Sequence, residues 1–333
     1  CMKRELKIFA SILLSLTLFV PLISCGAKRD ADFEKSYATS FGTAAVKLSR
    51  YDADGKRIAD ETLEKDADGC AAAAEAQYLR YTSSDDLSAV NAEVDTVFDC
   101  DAEFISSIQS LIELSGKTDG AYDPCCGAYT ALFADVEPSE EAAASALSAV
   151  GADMFSFSET TVFKSNKSAK IDVGAAALGY AFSAAADFLK GADSRSAAFV
   201  SESAVYVRGY TSEDGPYNVG ITADGTDKCS GYFRITDGFV FFADGERDAV
   251  YALGKTVDES LKISRAAVFS SDALTASVTA QAAVTAGSDA LSAMYDSFDK
   301  SFEAAYSKPD GSLTVTEGAE NTIYTPETEA SGD

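Results

Sequence analysis

The sequence predicts an α+β domain, mixed sheets packed with helices. Two observations lead there. Strand-like and helix-like stretches are interspersed without the regular βαβ alternation of a doubly wound sheet. The 333 residues are 47% apolar and 24% charged, a balance that builds a large core. No repeat of fixed period points to a solenoid.

Taken in order, residues 1–24 read as a signal peptide. Lys3, Arg4 and Lys7 form a positive start. The apolar run 8–23 is interrupted by Ser11, Ser15, Thr17 and Pro21, which falls short of the about 20 apolar residues a bilayer span needs. The run ends Leu22-Ile23-Ser24-Cys25-Gly26, which resembles a bacterial lipobox with Cys25 as the lipidated residue. The expectation is a lipid-anchored protein on the extracytoplasmic side of the cell membrane, with residues 25–37 as lipidated cysteine and tether. Residues 40–49 alternate like a strand, and Asp52-Ala53-Asp54-Gly55 signals a turn. Residues 59–80 read as a helix, and 83–91 as a loop passing into a short helical turn. In 102–115, Phe104, Ile105, Ile108, Leu111 and Ile112 recur at helical spacing before Gly116. Further helices are expected at 138–150, 175–189 and 276–303. Strands are expected at 162–173, 197–207, 217–222, 232–235 and 239–242, with short ones at 312–316 and 322–324. The domain is placed at 38–318 and an acidic tail at 319–333.

Charge and composition exclude whole classes of function. Asp plus Glu is 53 against 27 Lys plus Arg, a net charge of −26, so the chain repels phosphate backbones and no nucleic-acid partner is expected. The chain contains no histidine, which removes His triads, His-ligated zinc and a His general base. Besides Cys25, Cys70, Cys100, Cys125, Cys126 and Cys229 remain in the exported chain without C-x-x-C spacing; buried small thiols are expected, with at most one bridge.

Two segments carry chemical information. Thr118-Asp119-Gly120-Ala121-Tyr122-Asp123-Pro124-Cys125-Cys126-Gly127 follows a helix end, and Ile171-Asp172-Val173-Gly174-Ala175-Ala176-Ala177-Leu178-Gly179-Tyr180-Ala181 joins a strand to a helix. Small residues at such a junction let a phosphate approach backbone N–H groups, although close helix–sheet packing uses the same residues. Behind a lipobox and in this order, the two segments resemble the ApbE family of FAD:protein FMN transferases. Phe41-Gly42-Thr43, the stretch 79–91 ending Leu87-Ser88-Ala89-Val90-Asn91, and Tyr217-Asn218-Val219-Gly220-Ile221 resemble further family elements. The resemblance covers 38–318 and implies an ApbE-like, T-fold-like arrangement.

The resemblance implies Mg²⁺-dependent transfer of FMN from FAD to a Thr or Ser hydroxyl of a partner protein, with a membrane flavoprotein as one candidate acceptor. A dication would neutralise charge developing on the phosphates. The family ligands fall here on the Ala175 carbonyl, Ser277 and Gln281, where the family has Asp and Thr at the last two positions. A shifted register would use Asp272 with Thr275 or Ala276; counting back from Gly287 favours Ser277 and Gln281. Leu178 replaces a Lys or Glu, Glu202-Ser203 replaces a Gly-Gly, and the family's His segment has no counterpart between Tyr251 and Ile263. These departures imply the alternative, a catalytically degenerate member acting as a flavin-binding or partner-binding scaffold.

Phe41, Tyr81, Asp123 and Leu178 are the positions at which the resemblance places flavin contacts. Each has a plainer reading. Phe41 and Tyr81, like Tyr122, serve equally as core aromatics. Asp123 either orients flavin or caps the turn before Pro124. Leu178 favours packing over a phosphate cradle.

Overall fold

The computed structural model describes residues 32–133, 138–211, 215–222, 229–319 and 322–324. Expectations for the signal peptide, Cys25 and the end of the tail from 325 fall outside them. No helix of the described residues is long and apolar enough to cross a membrane.

An eight-stranded antiparallel sheet forms the centre, in the order β1 (Phe33–Thr39), β2 (Gly42–Leu48), β6 (Ala197–Ser201), β7 (Ala204–Arg208), β10 (Asp237–Asp244), β11 (Arg265–Ser270), β12 (Phe302–Ser307) and β13 (Leu313–Val315). One face carries helices α1 (Asp60–Thr82), α6 (Ala176–Lys190) and α7 (Ala273–Ala286). The other face is covered by a smaller sheet of β14 (Ile323–Tyr324), β9 (Gly231–Ile235) and β8 (Tyr217–Ile221), with a second core between the two sheets. A third sheet, β3 (Thr96–Val97), β5 (Val162–Lys164) and β4 (Phe155–Phe157), sits beside α2 (Asp85–Val90) and α3 (Ala102–Lys117). Short helices α4 (Gly127–Thr130) and α5 (Glu140–Leu147) lead into it, and α8 (Ser288–Ser297) follows α7.

Local chemistry explains these elements. The side chains of Ser84, Asp101, Ser139 and Asp272 accept backbone N–H bonds at the starts of α2, α3, α5 and α7. Helix α6 packs closely because it presents Ala and Gly: Ala177, Gly179, Ala181, Ala185 and Ala186 are buried, and Gly69 of α1 lies against the Phe188 ring. Helix α7 is buried on nearly every side, its Ala and Val residues interleaved with buried Thr, Ser and Gln.

Several expectations are corrected. The helix expected at 276–303 is two helices and a strand. Gly287, at φ +87°, divides α7 from α8, and a Cβ there would meet the Leu261 carbonyl oxygen at 2.7 Å. Residues 302–307 join the sheet as β12, paired with β11 from Arg265↔Ser307 to Ser270↔Phe302. The tether expected to residue 37 gives way at Phe33, because Phe33 and Tyr37 turn one side of β1 onto the core while the strand pairs with β2. The tail expected from 319 begins inside the fold: Ala319 is fully buried and β14 pairs with β9. The strand expected over 162–173 is confined to Val162–Lys164.

Candidate functional site

The two motif segments lie side by side beneath the start of α6. Thr118 organises the first: its hydroxyl accepts the Tyr122 N–H at 3.1 Å and donates to the Ser115 carbonyl at 3.0 Å. Asp123 Oδ1 accepts the Cys125 N–H at 2.8 Å, so the turn before α4 is capped by its own carboxylate. Backbone bonds then tie the segments together, Asp172 N–H to Pro124 O at 2.9 Å and Gly127 N–H to Lys170 O at 3.0 Å. The Tyr122 hydroxyl, wholly buried, donates to the Val173 carbonyl at 3.0 Å.

Two further side chains hold the second segment. Asn91 grips Ile171 at both ends, accepting its N–H at 2.7 Å and donating to its carbonyl at 2.9 Å. Lys164, 5% exposed, places its ammonium 2.6–3.0 Å from the carbonyls of Val90, Ala92, Lys167 and Ala169. Asp172 is held by three donors. Thr130 Oγ1 donates to Oδ2 at 2.6 Å, the Gly174 N–H to Oδ1 at 3.0 Å, and the Tyr251 hydroxyl lies 3.4 Å from both oxygens. Burial pushes the Tyr251 phenol well above its ordinary range, with the Asp172 charge adding to the effect.

Gly174 turns the chain at φ +52° into α6, and α7 closes over that turn. Gln281 Oε1 accepts the Ala175 N–H at 2.8 Å. A Cβ on Gly174 would meet Gln281 Oε1 at 2.7 Å and the Tyr251 ring at 3.2 Å. Ser277, fully buried, abuts Gly179 and donates to the Leu274 carbonyl at 3.1 Å. Asp272 caps α7 by accepting the Thr275 N–H at 2.7 Å. The helix therefore turns Ser277 and Gln281 toward residues 174–179, while Asp272 caps its start.

The positions expected to face flavin are spread out. Tyr81 is 2% exposed, stacks on Tyr180 at 4.1 Å between ring centroids, and donates to Ser107 Oγ at 2.8 Å. Phe41 packs on Tyr78 at 5.1 Å and Phe199 at 6.4 Å. Leu178 is half-buried against the main core. Asp123 alone of these four lies among the polar contacts at the motif crossing, and burial raises its carboxyl pKa.

Among the described residues the thiols are free; Cys70, Cys100, Cys125 and Cys126 are buried and Cys229 is exposed. Burial raises the Cys125 and Cys126 thiols well above their ordinary range, which keeps the vicinal pair protonated and poorly nucleophilic. A cavity of about 340 Å³ borders the first motif, lined by residues 118–121, Tyr251, Lys255, Asp258 and Thr285. A larger one of about 660 Å³ lies on the far face of the central sheet, against β8.

Comparison with known proteins bears on this arrangement. The ApbE family model matches residues 41–310. The chain belongs to the ApbE family. No curated protein matches it. Among solved structures, the flavinyl transferase ApbE of Pseudomonas stutzeri, in its apo form, is similar at TM-score 0.71 and 18% identity, covering 89% of this chain and 99% of that one. The flavin transferase ApbE of Vibrio cholerae is similar at 0.69 and 14%, covering 86% and 96%. An ApbE protein of Thermotoga maritima is similar at 0.69 and 19%, covering 87% and 99%. At these identities the likeness establishes the ApbE fold.

Magnesium does not fit the position at which the resemblance places it. It prefers about six oxygen ligands that include carboxylates. The Ala175 carbonyl accepts the Gly179 N–H at 3.1 Å, Ser277 contributes a hydroxyl and Gln281 an amide already engaged with a backbone N–H. Among the described residues no group of three or more His, Cys, Asp or Glu side chains could hold a metal ion.

Sequence reasoning left Asp172, Tyr251, Thr130, Asn91 and Lys164 out of the site. Asp172 was reachable, since it sits inside the second motif. Tyr251 and Lys164 carry no motif; only tertiary packing brings Tyr251 to Asp172 and Lys164 to Val90 and Ala92.

Proposed function

We infer that this chain is a FAD-directed protein of the flavin transferase type, exported and held at the membrane through Cys25. Its reaction would carry FMN from FAD to a Thr or Ser hydroxyl of an acceptor flavoprotein. The observation that carries the reading is the crossing of the two motif segments beneath Gly174, in a chain of the ApbE family whose similar structures include flavin transferases. Within that reading the chain's own groups have stated tasks. Asp172 and Asn91 fix the turn at Gly174, Tyr122 fixes Val173, and Asp123 holds the turn that faces them. No step is assigned to magnesium, because the donors at its position are neutral.

The neutral Gln281 amide, bonded to the Ala175 N–H, is the reason to test a second reading, a family member that binds flavin or a partner without transferring FMN. One experiment separates the two. The purified protein is incubated with FAD, Mg²⁺ and a flavoprotein bearing a free acceptor Thr, then resolved on a denaturing gel. Flavin fluorescence on the acceptor, with release of AMP, establishes transfer and sinks the scaffold reading. FAD recovered from the denatured protein without labelled acceptor supports the scaffold. The absence of both label and bound flavin overturns the flavin assignment itself.

A further inference from the structure

Around the start of α6, every oxygen near the expected cation position is neutral or already committed. Gln281 is 2% exposed and Ser277 fully buried, so neither reaches solvent. Gln281 points its amide oxygen at the Ala175 N–H, and the Tyr251 ring crowds the same Cβ position of Gly174 as the Gln281 amide. Asp172, the carboxylate bonded to the Gly174 N–H, also accepts from Thr130 and faces the Tyr251 hydroxyl. Asp272, the other carboxylate near α7, is committed to the helix cap. The N-terminal end of a 15-residue helix adds positive partial charge to the place.

We propose that Gln281 is a positioning residue standing where the family resemblance places a cation ligand: its neutral amide bridges α7 to the Ala175 N–H at the N-cap of α6 and makes the site independent of a cation. The proposal deepens the flavin reading by stating that whatever binds this site does so without magnesium. The bridge links the two helices directly, side chain to backbone. A cation entering the site would have to displace an amide hydrogen bond and face helix N–H groups with no free carboxylate in return.

Mn²⁺ alone is the probe, which keeps the test independent of flavin. The full-length protein in detergent is titrated with Mn²⁺, and the free ion is followed by electron paramagnetic resonance. The chain's many surface carboxylates bind weakly and set a background, so uptake is compared between variants. Wild type and Gln281→Ala are expected to take up equal amounts. Gln281→Glu, which keeps the side-chain shape and adds one charge, and the double variant S277D/Q281E are expected to gain one equivalent bound at least about ten-fold more tightly than background. Should the double variant fail to fold, as circular dichroism would reveal, Gln281→Glu alone decides. Wild-type uptake exceeding that of Gln281→Ala by one equivalent overturns the proposal. So does the absence of any gain in a folded Gln281→Glu. Failure of FAD to bind wild type would undo the flavin reading and leave this result untouched.

Discussion

Asp123 shows how a single carboxylate divides its effects. Its Oδ1 caps the turn at Cys125, yet burial raises its pKa above the ordinary 3.8, outweighing the Cys125 hydrogen bond and the Lys255 charge that lower it. A carboxyl with a raised native pKa binds its proton more tightly when folded. Its ionisation therefore costs stability at neutral pH, and that cost disappears as pH falls through the raised value toward 3.8. Asp123→Asn keeps an acceptor for the Cys125 N–H and removes the charge. The variant should melt above wild type at pH 7, with the gap closing as the pH is lowered to about 4. A gap of opposite sign, or one constant with pH, would contradict this account. At this scale the sequence was informative where a motif named the residue. It was silent on Tyr251 and Lys164, whose partners lie 79 and up to 74 residues away along the chain.

Among the elements, glycines mark where two segments press together. Gly127 starts α4 directly against Ile171; an added Cβ would lie 2.8 Å from the Ile171 carbonyl carbon and oxygen, backbone that cannot swing aside. Gly127→Ala should destabilise the fold by about 1–3 kcal/mol through overpacking. Gly116, near the end of α3, faces open space: a Cβ added there would meet nothing within 4 Å. Gly116→Ala should instead stabilise by about 0.4–1 kcal/mol, because alanine loses less backbone entropy in a helix. Denaturant unfolding of both variants checks the opposite signs. The same elements show which sequence signals sufficed. Helix α3 was legible because its apolar spacing and Gly116 are local. Strands β11 and β12, Arg-Ala-Ala-Val-Phe-Ser and Phe-Glu-Ala-Ala-Tyr-Ser, were not, since alanine-rich stretches lean toward helix. Pairing with each other and with β10 decides them. Gly287 was visible as a letter, but its role as a break depends on the Leu261 carbonyl packed against it.

For the whole molecule, the balance of 53 acidic to 27 basic residues matters more than any single ion pair. Pairs such as Lys35–Glu64 and Arg80–Glu103 involve exposed acids and contribute little. Net repulsion should dominate the response to salt. Raising NaCl from about 10 mM to about 0.15 M shortens the screening length from about 30 Å to about 8 Å, and the melting temperature should rise. A fall would mean that ion pairs outweigh repulsion. The α+β class was readable from the irregular alternation of elements. The layering was not: that β8, β9 and β14 leave the main sheet to cover its far face depends on contacts between distant segments, such as Ile323 with Phe233.

Lys164 gives this chain a positive charge that is covalently part of the polypeptide, set among four carbonyl oxygens. Stripping the protein with a chelator cannot remove it. The loop that carries Asp172 to Gly174 is thus braced by a fixture that needs neither loading nor supply, and its shape should survive EDTA unchanged.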